Sequence, residues 1–333
     1  RNRMTQRQVR PKDWLHHLWH IDKSLDFIKD GGSLIRFAIV DDDATHDALV
    51  EQLELVPFEN GAWLFSAADT PEQRTYQPDS VVANIAEAIE ITEILNTIIR
   101  NVWKSIGVSD PETISASKAA ALIGVDVDVA YKLFFNKVKQ LMGRLETNDD
   151  SNTRTSSCAY TRDFQNATIN SCLEIVDGKT ESASIFENWL RNIQSSSYDR
   201  KNMGIMSPLK RENATGVLRS LIALCTMSDS SICILHLDIR RITDAKLYDE
   251  YAKYPNVTKG SRLATYQWLR ELVDTASLFS NTLIVVEVGP TFPDISPSGK
   301  GIGAYDALKN RIIDDVSVDG RPNLSAVLVP LAN

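Results

Sequence analysis

Hydrophobic and polar positions along the chain fall into short, branched apolar runs separated by longer stretches with apolar residues at helical spacing. Residues 34–40 are the first such run, follow a Gly31-Gly32 turn signal, and read as a buried strand. Residues 41–47 then read as the start of a helix that turns Ala48, Leu49, Leu53 and Val56 towards a sheet. Further strands are expected at 61–68, 231–237, 281–288 and 324–331. Helices are expected at 10–30, 79–103, 115–121, 129–145, 182–193, 211–227, 261–278 and 304–313. The polar stretch 147–157 reads as a loop. Five apolar strands separated by helices imply an α/β fold with a parallel, helix-covered sheet. The helical middle divides the chain into residues 1–104, a helical insertion or subdomain at 105–207, and residues 208–333.

Composition narrows the partners more than the fold. With 333 residues, 43% hydrophobic and 24% charged, the chain has the material for one large or two modest globular domains. A net charge of -8 makes the molecule as a whole repel nucleic acid, so any DNA contact needs a local basic patch. The candidate is 129–145, where Lys132, Lys137, Lys139 and Arg144 interleave with Phe134, Phe135, Val138 and Leu141. Together with 115–121 and a turn at Gly124 it has a helix-turn-helix-like outline; a solvated amphipathic helix is the competing reading. Cys158, Cys172, Cys225 and Cys233 form no CxxC pair, which fits a reducing cytoplasm. No apolar run approaches ~18 residues, and no signal-peptide core is present. His16 and His20 stand one helical turn apart, but without a nearby carboxylate base they read as surface or capping residues.

Candidate chemistry centres on the strand-to-helix turn VDDDATHD, residues 40–47. A P-loop needs glycines there to bring backbone N–H groups onto phosphate, and a lysine to reach the outer phosphates. Asp41, Asp42 and Asp43 oppose phosphate instead: at ~5 Å and an effective dielectric of roughly 20, each carboxylate repels a phosphate charge by on the order of 3 kcal/mol. The aspartates read as an acidic helix cap, with a divalent-metal site as the alternative. Arg36 lies inside the strand and is poorly placed to offset them. In a P-loop ATPase the third strand ends in Asp-Glu, for Mg²⁺ and the attacking water respectively. Here Asp238 is followed by Ile239. A metal-dependent phosphohydrolase or nuclease is a further reading, with the His46-Asp47 pair joined by Asp238 and the aspartate cluster.

The order of these pieces resembles the BREX-type ATP-binding proteins of bacterial phage-defence loci, P-loop ATPases of the AAA-like group. The resemblance is carried by DKSLDFIKDGGSLIRFAIVDDD, AWLFSAADTPEQRTYQPDSVVANIAEAI, SICILHLDIRRITD, SRLATYQWLRELVDTASLFSNTLIVVEVGPTFPD and GIGAYDALKNRI, about half the chain in the family's order. It implies an AAA/ASCE-type P-loop NTPase-like sheet. It also implies a degenerate nucleotide site: Val40, Asp43 and Thr45 stand at the loop glycines, His46 at the lysine, Asp47 at the Mg²⁺-binding Ser or Thr, and Ile239 at the catalytic glutamate. Pro290-Thr291 occupies the sensor region and Gly303 stands near an expected arginine, while Asp238 and Arg311 match. The resemblance implies a pseudo-ATPase scaffold or regulator without catalytic residues. No cofactor is expected; the alternative is an active ATPase or nucleotide-binding defence protein with an unorthodox site, which would take ATP and Mg²⁺ with or without completion by a neighbouring subunit. Its expected partners are an ATPase, helicase or nuclease subunit of a defence system, with possible DNA contact or self-association.

Overall fold

The structure is a computed structural model describing residues 8–143, 160–229, 231–312, 317–318, 321–322 and 327–332. Two compact units result: residues Arg1–Val81 with Ser231–Asn333, and residues Val82–Ser230. The insertion thus begins and ends about 23 residues away from the limits of 105 and 207 expected from the sequence, inside the Pro78–Glu87 helix and just before a strand.

The first unit is built on β1 (Ser33–Ile39), β2 (Trp63–Ala68), β3 (Cys233–Asp238), β4 (Thr282–Val288) and, after the short antiparallel ribbon of β5 (Ser317–Val318) and β6 (Arg321–Pro322), β7 (Leu328–Pro330). The five-stranded sheet has the order β2-β3-β4-β1-β7 and every pairing is parallel. β3 and β4 are buried along their whole length, which is why both read as unbroken apolar runs. On one face Ala38, Val40, Ile234, Leu283, Val285 and Val329 meet Trp14, Leu18, Leu49 and Leu53 from the helices packed there. On the other, Phe37 stacks on Phe292, ring centroids 5.7 Å apart, and Phe292 meets Tyr266 of the Lys259–Thr275 helix edge-on.

Two expected helices are broken. Residues 10–30 split into Pro11–His16, a π-helical turn His17–Ile21, and Ser24–Lys29, with Lys23 left-handed at φ 53° between them. Residues 79–103 split into Pro78–Glu87 and Ile91–Ser105. Ile85, Ile89, Ile91, Ile94 and Leu95 are buried on both sides of that break, so apolar spacing carried no trace of it. Gly31, at φ 100°, makes the turn into β1, and Gly61, at φ 63°, ends the Asp43–Asn60 helix; both conformations strain any residue with a Cβ.

The second unit is helical: Ile91–Ser105, Ala116–Ile123, Val127–Gly143, Arg162–Val176, Glu181–Leu190, Ser197–Asn202 and Arg211–Asp229. Aromatic rings knit it, with Trp103 against Phe134 at 4.7 Å and Phe164 edge-on to Phe186 at 5.1 Å. The expected helix 115–121 is Ala116–Ile123, capped by Ser115, and 129–145 is Val127–Gly143. Arg144 and the loop 147–157 lie outside the described residues.

Candidate functional site

The carboxyl ends of parallel strands in an α/β sheet form the usual binding crevice. Here β1 leads through Val40 and Asp41 to the Asp43–Asn60 helix, β3 ends at Asp238, and β4 ends at Val288. Asp42 caps that helix, its Oδ1 accepting from the Thr45 N–H at 2.7 Å, as an acidic cap would. This bond and the Asp42 side chain's interaction with Thr45 lower the Asp42 pKa. Asp41 accepts from Gln8 at 2.8 Å, Thr45 is buried, and Asp47 is exposed on the helix. Of the turn residues, only His46 and Asp43 turn their side chains to the crevice network.

The centre of that network is a residue the sequence reading passed over. Arg240 is fully buried, two positions after Asp238, and grips it with two side-chain bonds, Nε to Oδ1 at 3.0 Å and Nη2 to Oδ2 at 2.8 Å. Its Nε also lies 2.9 Å from Glu287 Oε1, its Nη2 donates to Glu250, and its Nη1 stands 3.6 Å from Asp43 Oδ1. Tyr248 covers one aspect of the guanidinium with its ring centroid at 4.4 Å, and Tyr251 lies at 5.5 Å. Burial alone would lower the Arg240 pKa, but Asp238 and Glu287 overcome that and raise it.

Glu287 is completely buried on β4 and receives three side-chain partners: His46 Nδ1 at 2.9 Å, His236 Nε2 at 2.9 Å and Arg240. Burial would raise its pKa, yet the hydrogen bonds from His236 and His46, with the charge of Arg240, hold it well below the usual carboxylate range. His46 moves the other way: burial pulls its pKa down, and the hydrogen bond and charge of Glu287 outweigh this and raise it.

A strap of two 3₁₀ turns, Ala245–Leu247 and Asp249–Tyr251, closes over these groups. The Tyr248 hydroxyl donates to the Val40 carbonyl, the Asp249 N–H donates to Asp43 Oδ2 at 3.0 Å, and the Tyr251 hydroxyl donates to Asp238 Oδ2 at 2.6 Å. Beside it lies a cleft of about 240 Å³ lined by Lys246, Tyr251, Tyr254 and Pro255. Ligand pockets run to roughly 300–1,000 Å³, so this cleft is below nucleotide size.

The geometry sorts the candidate residues. His46 and Asp238 do converge, joined by Glu287 rather than by Asp47, and their ligand atoms lie within 4.8 Å of one another. Those atoms are already engaged by Arg240, Tyr251 and one another, so they make a charge network before they make a metal site. Ile239, the residue after Asp238, is buried at 1% exposure. Thr291 gives its N–H and hydroxyl to Asp244, Gly303 packs with no room for a Cβ, and Arg311 pairs with Asp274. In the Val127–Gly143 helix Lys132 and Lys139 are exposed and Lys137 half-buried, with Lys139 Nζ 5.8 Å from the Phe135 ring centroid.

Two signals could have found the centre. Glu287 and His236 interrupt otherwise apolar buried strands, and a charge in such a run demands a partner. Arg240 follows a strand-ending aspartate closely enough to fold back on it. Comparison with family models, with curated proteins and with solved structures finds no match. Among the described residues, no helix is long and apolar enough to cross a membrane.

Proposed function

We propose that the chain is a catalytically degenerate P-loop ATPase-like protein that acts as a scaffold or regulator in a multi-subunit assembly. The observation that carries this is Arg240: its guanidinium fills the crevice that a P-loop ATPase keeps for Mg²⁺ and phosphate. Four carboxylates, those of Asp43, Asp238, Glu250 and Glu287, surround this tethered cation, and the tyrosine strap covers it. The residues present do not fit MgATP, because the turn offers aspartates in place of lysine and glycine and the available cation is spent internally. The parallel order, with β4 between β1 and β3, supports the AAA-like relationship that the sequence resembles. A fold can lose its phosphate chemistry while keeping its surfaces, since core packing and the site rest on different residues.

That resemblance points to a bacterial anti-phage defence or DNA-processing complex, with an ATPase, helicase or nuclease partner supplying the chemistry. The exposed Lys132 and Lys139, with Lys137, are the candidate DNA contact. Titration with a fluorescent ATP analogue and Mg²⁺, at protein concentrations up to ~100 μM, tests the reading of the crevice. No saturable binding is expected. Saturable binding lost on replacing His46 or Arg240 would overturn the reading and make this an unorthodox nucleotide site.

A further inference from the structure

The sheet register places a second set of groups beside the charge network. Ser66 of β2 is the cross-strand partner of His236 on β3, and Asp238 is the partner of Glu287 on β4. With side chains alternating between faces, Ser66, His236 and Glu287 share one face of three neighbouring strands, Glu287 two residues beyond Val285, the register partner of His236. Ser66 Oγ lies 3.2 Å from His236 Nδ1, and His236 Nε2 lies 2.9 Å from Glu287 Oε2. One neutral tautomer satisfies both contacts: Nε2–H donates to the carboxylate, and Nδ1 accepts from the serine hydroxyl. His236 and Glu287 are buried at 3% and 0% exposure, whereas Ser66 is exposed. Thus a solvent-facing hydroxyl meets a base oriented by a buried carboxylate, the arrangement that activates a nucleophile.

Among the described residues β2 is an edge strand of the sheet. Trp63 and Asp69 donate their N–H groups to the carbonyls of Ile232 and Asp238 on the β3 side. Backbone alternation therefore turns the N–H of Ser66 outwards, towards the carbonyl oxygen of anything held at that edge.

We propose that Ser66, His236 and Glu287 form a nucleophilic relay that takes an acyl group from small esters reaching the exposed Ser66 on β2. Ser66 Oγ forms a bond to the ester carbonyl carbon while its proton passes to His236 Nδ1. Collapse of the tetrahedral intermediate breaks the bond to the alkoxy group, which leaves as the alcohol with that proton. Water, deprotonated by the same nitrogen, then cleaves the acyl-serine to carboxylic acid and restores Ser66. Glu287 stays ionised throughout and holds the imidazolium in place, a role its hydrogen bonds from His236 and His46 favour.

The full chain is treated with a fluorophosphonate probe, and the rate of adduct formation at each serine is read by mass spectrometry. Ser66 is expected to label about 10²–10⁴-fold faster than the exposed Ser117 and Ser184, the range of general-base assistance. His236→Gln should remove that advantage. In parallel, p-nitrophenyl acetate should give an acylation burst that Ser66→Ala abolishes, a measurement that needs no change in the core. Labelling of Ser66 no faster than Ser117, or a burst that survives Ser66→Ala, overturns the proposal.

Discussion

Replacing Arg240 with methionine keeps a stem of similar length and removes the guanidinium that meets Asp238, Glu287, Glu250 and Asp43. The Glu250 and Asp43 side chains are 45% and 39% exposed, so the loss at each is screened and stays near the 0–1 kcal/mol of a surface pair. Asp238 and Glu287 are another matter, because at 4% and 0% side-chain exposure they are left charged in the interior. Tyr251 still donates to Asp238, and the two histidines to Glu287, so the damage resembles one broken buried pair rather than two. That costs about 3–5 kcal/mol. With a urea m-value of about 3 kcal/mol/M, the transition of the sheet-bearing unit should move down by on the order of 1–2 M. A loss under about 1 kcal/mol would refute the view that Arg240 neutralises the crevice. The companion variant Arg240→Ala leaves carboxylates facing an emptied position, and should gain a divalent-cation dependence absent from the parent. At Mn²⁺ near 100 times its Kd the gain is about 2.7 kcal/mol. Equal response of variant and parent to Mn²⁺, or response of neither, would count against the tethered-cation account.

Two of the network's shifted groups, Glu287 and His46, give a pH profile with opposite limbs. Glu287, whose pKa is lowered, contributes fully above the ordinary glutamate value of about 4.3 and loses this as pH falls through its folded value. His46, whose pKa is raised, contributes fully below about 6.5 and loses this as pH rises through its folded value. Urea midpoints measured across pH should therefore form a plateau between those values, and His46→Gln should flatten the alkaline limb. Gly303→Ala would place a Cβ 2.0 Å from the Ile295 carbonyl carbon, a backbone atom with little freedom to move, so thermal unfolding should show a loss of at least the roughly 1–3 kcal/mol of an overpacked core. Lys137→Glu with Lys139→Glu should abolish retention on DNA–cellulose at low salt if the Val127–Gly143 helix is the contact; unchanged retention removes that helix as the DNA surface.

Local pattern was enough for β1 to β4 and for the cap; of the expected strand 324–331 only Leu328–Pro330 is one, residues 324–326 lying outside the described residues, and the β5-β6 ribbon was not anticipated. β1, β3 and β4 are buried apolar runs and were legible as such, and Asp42 caps the helix its position announces. Helix breaks were not legible where both sides bury their apolar residues, as at Glu87 to Ile91, because burial sets the spacing and the break leaves it intact. The turn's lack of lysine and glycine is read from the sequence alone, while the partners of its His46 and Asp43 are not.

The amino-acid sequence by itself determined an α/β chain with a parallel sheet, an acidic strand-to-helix turn and an aspartate at the end of β3. These follow from side-chain chemistry and from periods of 2 and 3.6 residues, which act over a few neighbours. Only the tertiary structure decided which charges meet. Glu287 lies 241 residues from His46 and 51 from His236, and Ser66 lies 170 from His236. Their partnerships come from the β2-β3-β4-β1 order and register, which bring the ends of distant strands together and force each buried charge to find a counterpart there.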